Sequence, residues 1–206
     1  MRYVVGITGG VACGKSAVAA MMSKSLGVEV LDTDTLARRL MSDDPEIRHA
    51  IQVELSPRAF FPDGRLNTEW IRNTVFTNAE SKKRLEAVVH PAVRQEWMRL
   101  VAIARSSGAG LLVELPLLYE VHAETEFDLV VVVAASNSTQ ISRLETSRNL
   151  SPTIARNILA SQMDISDKVR LADRVIWNDS GLGLLKHQAE LLSASFLNTP
   201  SFDGSY

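Results

Sequence analysis

Cysteine is nearly absent: Cys13 is the only one in 206 residues. That excludes an intramolecular disulfide and suits a reducing compartment. Long apolar runs are missing too. The longest, residues 129–135, is far too short to span a bilayer. The apolar stretch at the N-terminus covers only about five residues before a glycine-rich turn, so it does not read as a signal peptide. An excess of one charge is also lacking. Lysine and arginine number 22 against 24 acidic residues, and no basic run occurs, which argues against a large nucleic-acid footprint. No internal repeat or low-complexity segment is visible. The expectation is a soluble, cytoplasmic protein with no membrane or nucleic-acid partner and no obligate protein partner. What is present is apolar: 46 % of residues, enough for a sizeable core, in a length that suits one α/β domain with insertions.

The most informative stretch is residues 4–16. A run rich in β-branched residues leads into Gly9-x4-Gly14-Lys15-Ser16, and Val18, Ala19, Met22 and Leu26 follow at helical spacing. Strand, glycine loop and helix in that order form a phosphate-binding loop. A phosphate chain needs several donors aimed at one point, and the backbone N–H groups of a tight loop supply them. The helix that follows adds its own unpaired N–H groups. Gly9, Gly10, Val11, Ala12, Cys13, Gly14, Lys15, Ser16 and Ala17 are therefore the candidate nucleotide-binding residues. Lys15 can bridge the β- and γ-phosphates, and the Ser16 hydroxyl can complete a magnesium shell. Cys13, near a helix N-terminus, is expected to have a lowered pKa and to be a site of oxidation or alkylation.

Taken in order, apolar strands are expected at 3–8, 28–31, 111–113, 129–135 and 174–177, alternating with helices. That implies an α/β fold, a five-stranded parallel sheet with helices on both faces and right-handed crossovers. Residues 43–106 differ. Helical patterns at 45–55, 68–76, 78–89 and 91–105 dominate, with His90-Pro91 as a joint and no strand-like run. This reads as a helical substrate-binding insertion into a core of 1–42, 107–136 and 173–197. Residues 137–172 read as a helical lid, continuous over 151–172, and 198–206 as a frayed tail. In the last helix, Leu184, Leu185, Leu191, Leu192 and Phe196 are expected to form one apolar side.

All candidate chemistry follows strand ends. Asp32 and Asp34 are two residues apart, so in extended backbone both face one side. One can hold magnesium and the other can accept a hydroxyl proton; alternatively both cap the next helix. Glu114 is either a magnesium or substrate contact or a charge paired with a neighbouring arginine. Arg143 and Arg148 can close over phosphates as lid residues or remain solvated. Arg38 follows Asp34 by one helical turn. His90 is either a substrate contact or a cap. Trp70, Trp97 and Trp177 are expected to serve packing.

Several segments together resemble the dephospho-coenzyme A kinase family over nearly the whole chain. They are Gly6-Ile7-Thr8-Gly9-Gly10-Val11 with Gly14-Lys15-Ser16, Asp32-Thr33-Asp34-Thr35-Leu36-Ala37-Arg38, Gly64-Arg65-Leu66, Val75-Phe76, Leu85-Glu86, His90-Pro91, Glu114-Leu115-Pro116-Leu117-Leu118-Tyr119-Glu120, Gln140-x-x-Arg143-Leu144 and Gln162. The resemblance implies a P-loop, nucleotide-kinase-like core. It also implies transfer of phosphate from ATP to the ribose 3′-hydroxyl of dephospho-coenzyme A, the last step of coenzyme A biosynthesis, with magnesium. It makes Asp34 the general base, Asp32 and Ser16 magnesium partners, Lys15 the γ-phosphate ligand and Arg143 a catalytic lid residue. Arg38, His90 and Glu114 join Asp34 on the acceptor side.

The chain departs from the family at four places. Ala12-Cys13 stands where Gly-Ser is usual, which a backbone loop tolerates if neither position needs a positive φ. Asn67-Thr68 replaces Asp-Arg. Ser147 occupies the second lid arginine's place, with Arg148 beside it. Asn178-Asp179-Ser180 alters the adenine-side turn. Two other readings share the loop: a kinase with another small acceptor, and a nucleotide-dependent switch or ATPase. The Asn-Lys-x-Asp of guanine switches is absent, and the run ending in Glu114-Leu115 is a weak match to a motor's Asp-Glu.

Overall fold

A computed structural model describes residues 3–198. The tail expected at 198–206 lies, from residue 199 on, outside them. The chain divides into two units, residues 33–100 and the remainder. In order, the elements are β1 (Val4–Gly9), α1 (Lys15–Leu26), β2 (Glu29–Asp32), α2 (Thr33–Asp43), α3 (Pro45–Glu54), α4 (Thr68–Thr77), α5 (Ala79–Ser107), β3 (Leu111–Glu114), β4 (Leu129–Ala134), α6 (Asn137–Arg148), α7 (Pro152–Ala160), α8 (Ile165–Leu171), β5 (Arg174–Trp177) and α9 (Leu182–Asn198).

In the larger unit the strands form one parallel sheet in the order β2-β3-β1-β4-β5. The expected α/β architecture is the one observed. β1, β3 and most of β4 are buried, as their unbroken apolar runs require of a sheet covered on both faces. α1 packs on α9 and over β1, β2 and β3, while α8 packs on β4. Gly6 has no room for a side chain, because a Cβ there would meet Leu118 and Phe127 from the segment between β3 and β4. The central position of β1 sends its C-terminal loop out at the middle of the sheet's carboxyl edge, where open α/β sheets build their ligand sites.

The outermost strand, β5, is bordered by one side chain. The Trp177 N–H donates to Gln188 Oε1 at 3.1 Å, and Gln188 Nε2 donates back to the Trp177 carbonyl at 2.9 Å. Gln188 belongs to α9, whose buried face is Leu185, Ala189, Ser193 and Phe196. The single leucine side expected from sequence is therefore incorrect: Leu184 and Leu191 are exposed. Positions 185, 189, 193 and 196 follow the i, i+4, i+8, i+11 spacing of one helical face, which leaves 184 and 191 on the outer flank.

Three other boundaries differ from expectation. The continuous helix at 151–172 is broken at 161–164. Ser161 closes α7 by donating to the carbonyls of Asn157, Ile158 and Leu159, and the Asp164 carboxylate starts α8 by accepting from Ser166 N at 2.8 Å. The two helices expected on either side of His90-Pro91 are one, α5, with Pro91 inside it. Proline deletes one helical hydrogen bond there, while buried or half-buried Val89, Val93 and Trp97 keep one face anchored on both sides. Finally, the pairing of β2 with β3 ends at Asp32↔Glu114, and α2 begins at once with Thr33.

The unit at 33–100 is helical, with an antiparallel bridge between Phe60 and Leu66, but its bounds differ from the expected insertion at 43–106: α2, with Asp34 and Arg38, falls inside it and the end of α5 falls outside. Its core joins Ile51, Ala59, Phe60, Ile71 and Val89. Complete burial of a side chain such as Ile51 contributes about 1.5–3 kcal/mol. Asp44 caps α3 through Glu46 N and Ile47 N, and Asn67 caps α4 through Trp70 N at 3.1 Å. The Arg48 guanidinium donates to Ser42 O at 2.5 Å and Gly64 O at 2.7 Å and lies over the Phe60 ring.

Candidate active site

The loop between β1 and α1 turns its carbonyls toward protein donors. Lys15 Nζ donates to Gly10 O at 3.0 Å and Gly9 O at 3.4 Å. The Arg143 guanidinium donates to Ala12 O at 3.1 Å, Asn178 Nδ2 to Cys13 O at 2.8 Å, and Val18 N to Gly14 O at 3.1 Å. The N–H groups of Val11, Ala12 and Gly14 take no acceptor among the described residues. A loop whose carbonyls are taken up by protein donors leaves its remaining N–H groups available to an anion, as an anion nest requires.

Two glycines are obligatory here. Gly9 has φ 145, and a Cβ on it would strike the Val133 carbonyl. Gly14 has φ 89, with its Cβ position 2.6 Å from Asn178 Nδ2. Ala12 breaks the condition set above, for it too sits at positive φ, 57. An L-residue in this region costs about 1–2 kcal/mol, and Arg143 on its carbonyl helps to hold it there. Cys13 also departs from expectation. Its side chain is 0 % exposed, and burial pushes the thiol's pKa up despite the nearby charges of Lys15 and Arg143. A buried, protonated thiol is not the reactive group the sequence suggested.

Ser16 Oγ donates to Glu114 Oε1 at 2.8 Å, and Glu114 is only 6 % exposed. Asp32 stands opposite Glu114 in the β2–β3 register. The sheet thus brings together three of the expected residues, with hard oxygen donors at the start of α1 and the ends of β2 and β3. One or two carboxylates plus a hydroxyl suit magnesium, which takes its remaining ligands from water and phosphate.

A cavity of about 410 Å³ opens beside Gly10, walled by Gln140 of α6, Arg156 of α7 and Gln162, Met163 and Asp164 of the corner before α8. Gln140 lies so close to Gly10 that a Cβ there would collide with its Oε1. Arg156 is the lining cation among the described residues. The sequence reading missed it, although it is the one charged residue of α7, and a lone cation on an apolar helix was the available signal. Arg148, by contrast, is exposed in the last turn of α6.

Arg143 was expected to reach over phosphates. In this structure it braces the loop, donating to Ala12 O and, at 2.9 Å, to Asn178 O. Asn178 was visible in sequence only as part of an altered turn. Next to it, Asp179 accepts from Ser136 N at 2.9 Å, Ser136 Oγ at 2.9 Å and the Trp177 indole at 2.5 Å. Hydrogen bonds from the Thr139 hydroxyl and these donors lower its pKa to about 2.

The remaining expected residues belong to the helical unit. Asp34 stands in the first turn of α2, exposed, with exposed Arg38 one turn later on the same face. Because β2 ends at Asp32, strand alternation does not relate Asp32 to Asp34, and that part of the sequence argument fails. His90 is exposed on α5. Gly64-Arg65-Leu66 line a cavity of about 360 Å³ with Ser42, Asp43 and Arg48.

The family model described as dephospho-CoA kinase matches residues 3–183. The chain belongs to the dephospho-CoA kinase family. It is 36 % identical over 186 residues to the dephospho-CoA kinase of Thermosynechococcus vestitus, covering 90 % of this chain and 91 % of that one. Among solved structures, a protein from Thermus thermophilus aligns with a TM-score of 0.74 at 31 % identity, covering 96 % of this chain and 98 % of its own. A dephospho-CoA kinase from Campylobacter jejuni shares the fold, with a TM-score of 0.66 at 24 % identity over 93 % of this chain and 96 % of its own. Among the described residues no helix is long and apolar enough to cross a membrane.

Proposed function

We propose that this chain transfers the γ-phosphoryl group of ATP to the ribose 3′-hydroxyl of dephospho-coenzyme A, giving coenzyme A and ADP. The observation that carries the reading is the phosphate loop with its carbonyls bonded to Lys15, Arg143 and Asn178 and with Ser16 bonded to buried Glu114, in a chain of this family. Such a reaction depends on positioning and on fixed positive charge more than on covalent chemistry from the protein.

In this reading the loop N–H groups and Lys15 hold the β- and γ-phosphates. Ser16 and Asp32, with Glu114 behind Ser16, would hold magnesium, which neutralises developing phosphate charge when bound. Asp34 accepts the proton of the 3′-hydroxyl as its oxygen bonds to the γ-phosphorus and the bond to the bridging oxygen breaks, with ADP leaving. Arg38 and His90 contact the acceptor. Arg143 keeps the loop in shape, and Arg156 supplies the cation across the cavity from Gly10. Residues 33–100 serve as the acceptor-binding insertion and 137–172 as the lid.

ADP release is the test, measured with ATP and Mg2+ in the presence of dephospho-coenzyme A, adenosine, AMP, CMP or shikimate. Stimulation by dephospho-coenzyme A alone, with a 3′-phosphorylated product by mass, is expected. Stimulation by another acceptor would overturn the substrate assignment, and acceptor-independent ADP release would move the protein to the ATPase reading.

A further inference from the structure

Lys168 of α8 is 0 % exposed. Its ammonium lies 2.8 Å from Glu120 Oε1, 3.1 Å from Glu120 Oε2 and 3.1 Å from the Pro116 carbonyl. Glu120 Oε1 also accepts the backbone N–H of Met163 at 3.0 Å. The Pro116 carbonyl in turn accepts from Thr8 Oγ1 at 3.0 Å, and Thr8 is a buried residue of β1 immediately before Gly9. A continuous chain of hydrogen bonds therefore runs from the foot of the phosphate loop to Met163, which walls the cavity beside Gly10.

Packing does not explain this arrangement. Burying an ammonium is costly, and well-packed apolar side chains commonly stabilise at least as much as a buried ion pair. What the charged pair adds is direction. It bonds to particular atoms on β1's neighbouring segment and on the corner at 161–164, where an apolar contact would let the two slide. That corner follows α7 directly and so sets where Arg156 stands.

We infer that Lys168 and Glu120 are positioning residues that keep the 161–164 corner, and with it Arg156, in register with the phosphate loop for phosphoryl transfer. The inference rests on the transfer proposed above. The pair acts through Met163 and the corner rather than on the reactants.

The test compares Lys168→Met, Glu120→Leu and the double variant with the unaltered protein. Glu120→Leu leaves the buried Lys168 ammonium without its carboxylate, and Lys168→Met leaves the half-buried Glu120 carboxylate with only the Met163 N–H; each should lower Tm, and the double should recover most of it. The rate should not recover: kcat is expected to stay about tenfold to a hundredfold low in all three, as for a displaced catalytic group. The KM for ATP should stay within about twofold, the sign that ground-state nucleotide binding is untouched. A double variant that regains both Tm and kcat would overturn the inference, because the pair would then be structural only. If the double does not fold, Glu120→Gln carries the test. It keeps the shape and an acceptor and should lose about fivefold in kcat, and an unchanged kcat would overturn the inference. If the unaltered protein does not phosphorylate dephospho-coenzyme A, the substrate assignment falls instead. The pair is then judged by hydrogen exchange at the Met163 amide in Lys168→Met, which leaves that amide's acceptor on Glu120 in place. Faster exchange there supports the register role, and unchanged exchange overturns it.

Discussion

At the end of β1, the carbonyls of Gly9, Gly10, Ala12 and Cys13 are each tied to a side chain of Lys15, Arg143 or Asn178. In the helical unit, Asp34, Arg38 and His90 stand exposed on helix surfaces. The first region fixes backbone, and its identity matters mostly through shape. The second offers side-chain heads on a packed helical frame. The difference suits two tasks: gripping a triphosphate, which is common to many kinases, and choosing an acceptor, which is not. On this view a change in the helical unit should alter acceptor chemistry alone, whereas a change near the loop should alter nucleotide handling first.

The largest expected effect tests the acceptor side. Asp34→Asn should lower turnover about a thousandfold, within the range for a lost general base, while ATP binding by calorimetry stays nearly unchanged. Near-normal turnover would remove Asp34 from the base role and collapse the division of labour. Lys15→Ala comes next, with a loss of about a hundredfold to a thousandfold in kcat and a weaker ATP affinity. A variant that bound ATP as before would show that the loop does not use Lys15 as proposed. Arg143→Ala sharpens the comparison, since it removes a brace rather than a phosphate contact. The KM for ATP should rise about tenfold, the scale of one charged hydrogen bond, and the KM for dephospho-coenzyme A should stay put.

Two smaller effects concern stability. Ala12→Gly relieves the positive φ and should raise stability by about 1 kcal/mol, read as a Tm increase of about 2–4 °C. No increase would mean that Ala12 is held without strain. Asp179 has a pKa lowered to about 2 from the usual 3.8. A carboxylate with a depressed pKa stabilises the fold above the unfolded pKa and loses that contribution as pH falls. Asp179→Asn should therefore lower Tm slightly at neutral pH, with the gap closing between pH 4 and 2. A gap independent of pH would point to geometry instead of charge.

The sheet, its five strands and the loop were legible because their signals are local. Apolar runs of the right length and a glycine pattern at fixed spacing need no tertiary information. The Ser16–Glu114 meeting was only half legible. Each residue followed a strand end, but their hydrogen bond depends on β1 and β3 being neighbours. The brace from Arg143 to the loop was not legible, because sequence shows a helix and a cation, and the bond to Ala12 O spans 131 positions. Cys13 was misread for a related reason: the helix N-terminus is a sequence feature, whereas burial is not. The break at 161–164 was missed since Ser161 ends α7 through its backbone N–H and Asp164 starts α8 through its carboxylate, bonds that a charged, helical-looking stretch conceals.

One feature bears on how copies of this chain behave in a crowd. The outer strand of a parallel sheet carries unpaired N–H and C=O groups, which invite a strand from another molecule. β5 would be a tempting template, with Val175 and Trp177 partly exposed along it. The carboxamide of Gln188 exchanges two hydrogen bonds with Trp177, as a residue of a sixth strand would. A single side chain thus occupies the docking position on that edge, and the sheet ends there instead of continuing into its neighbour.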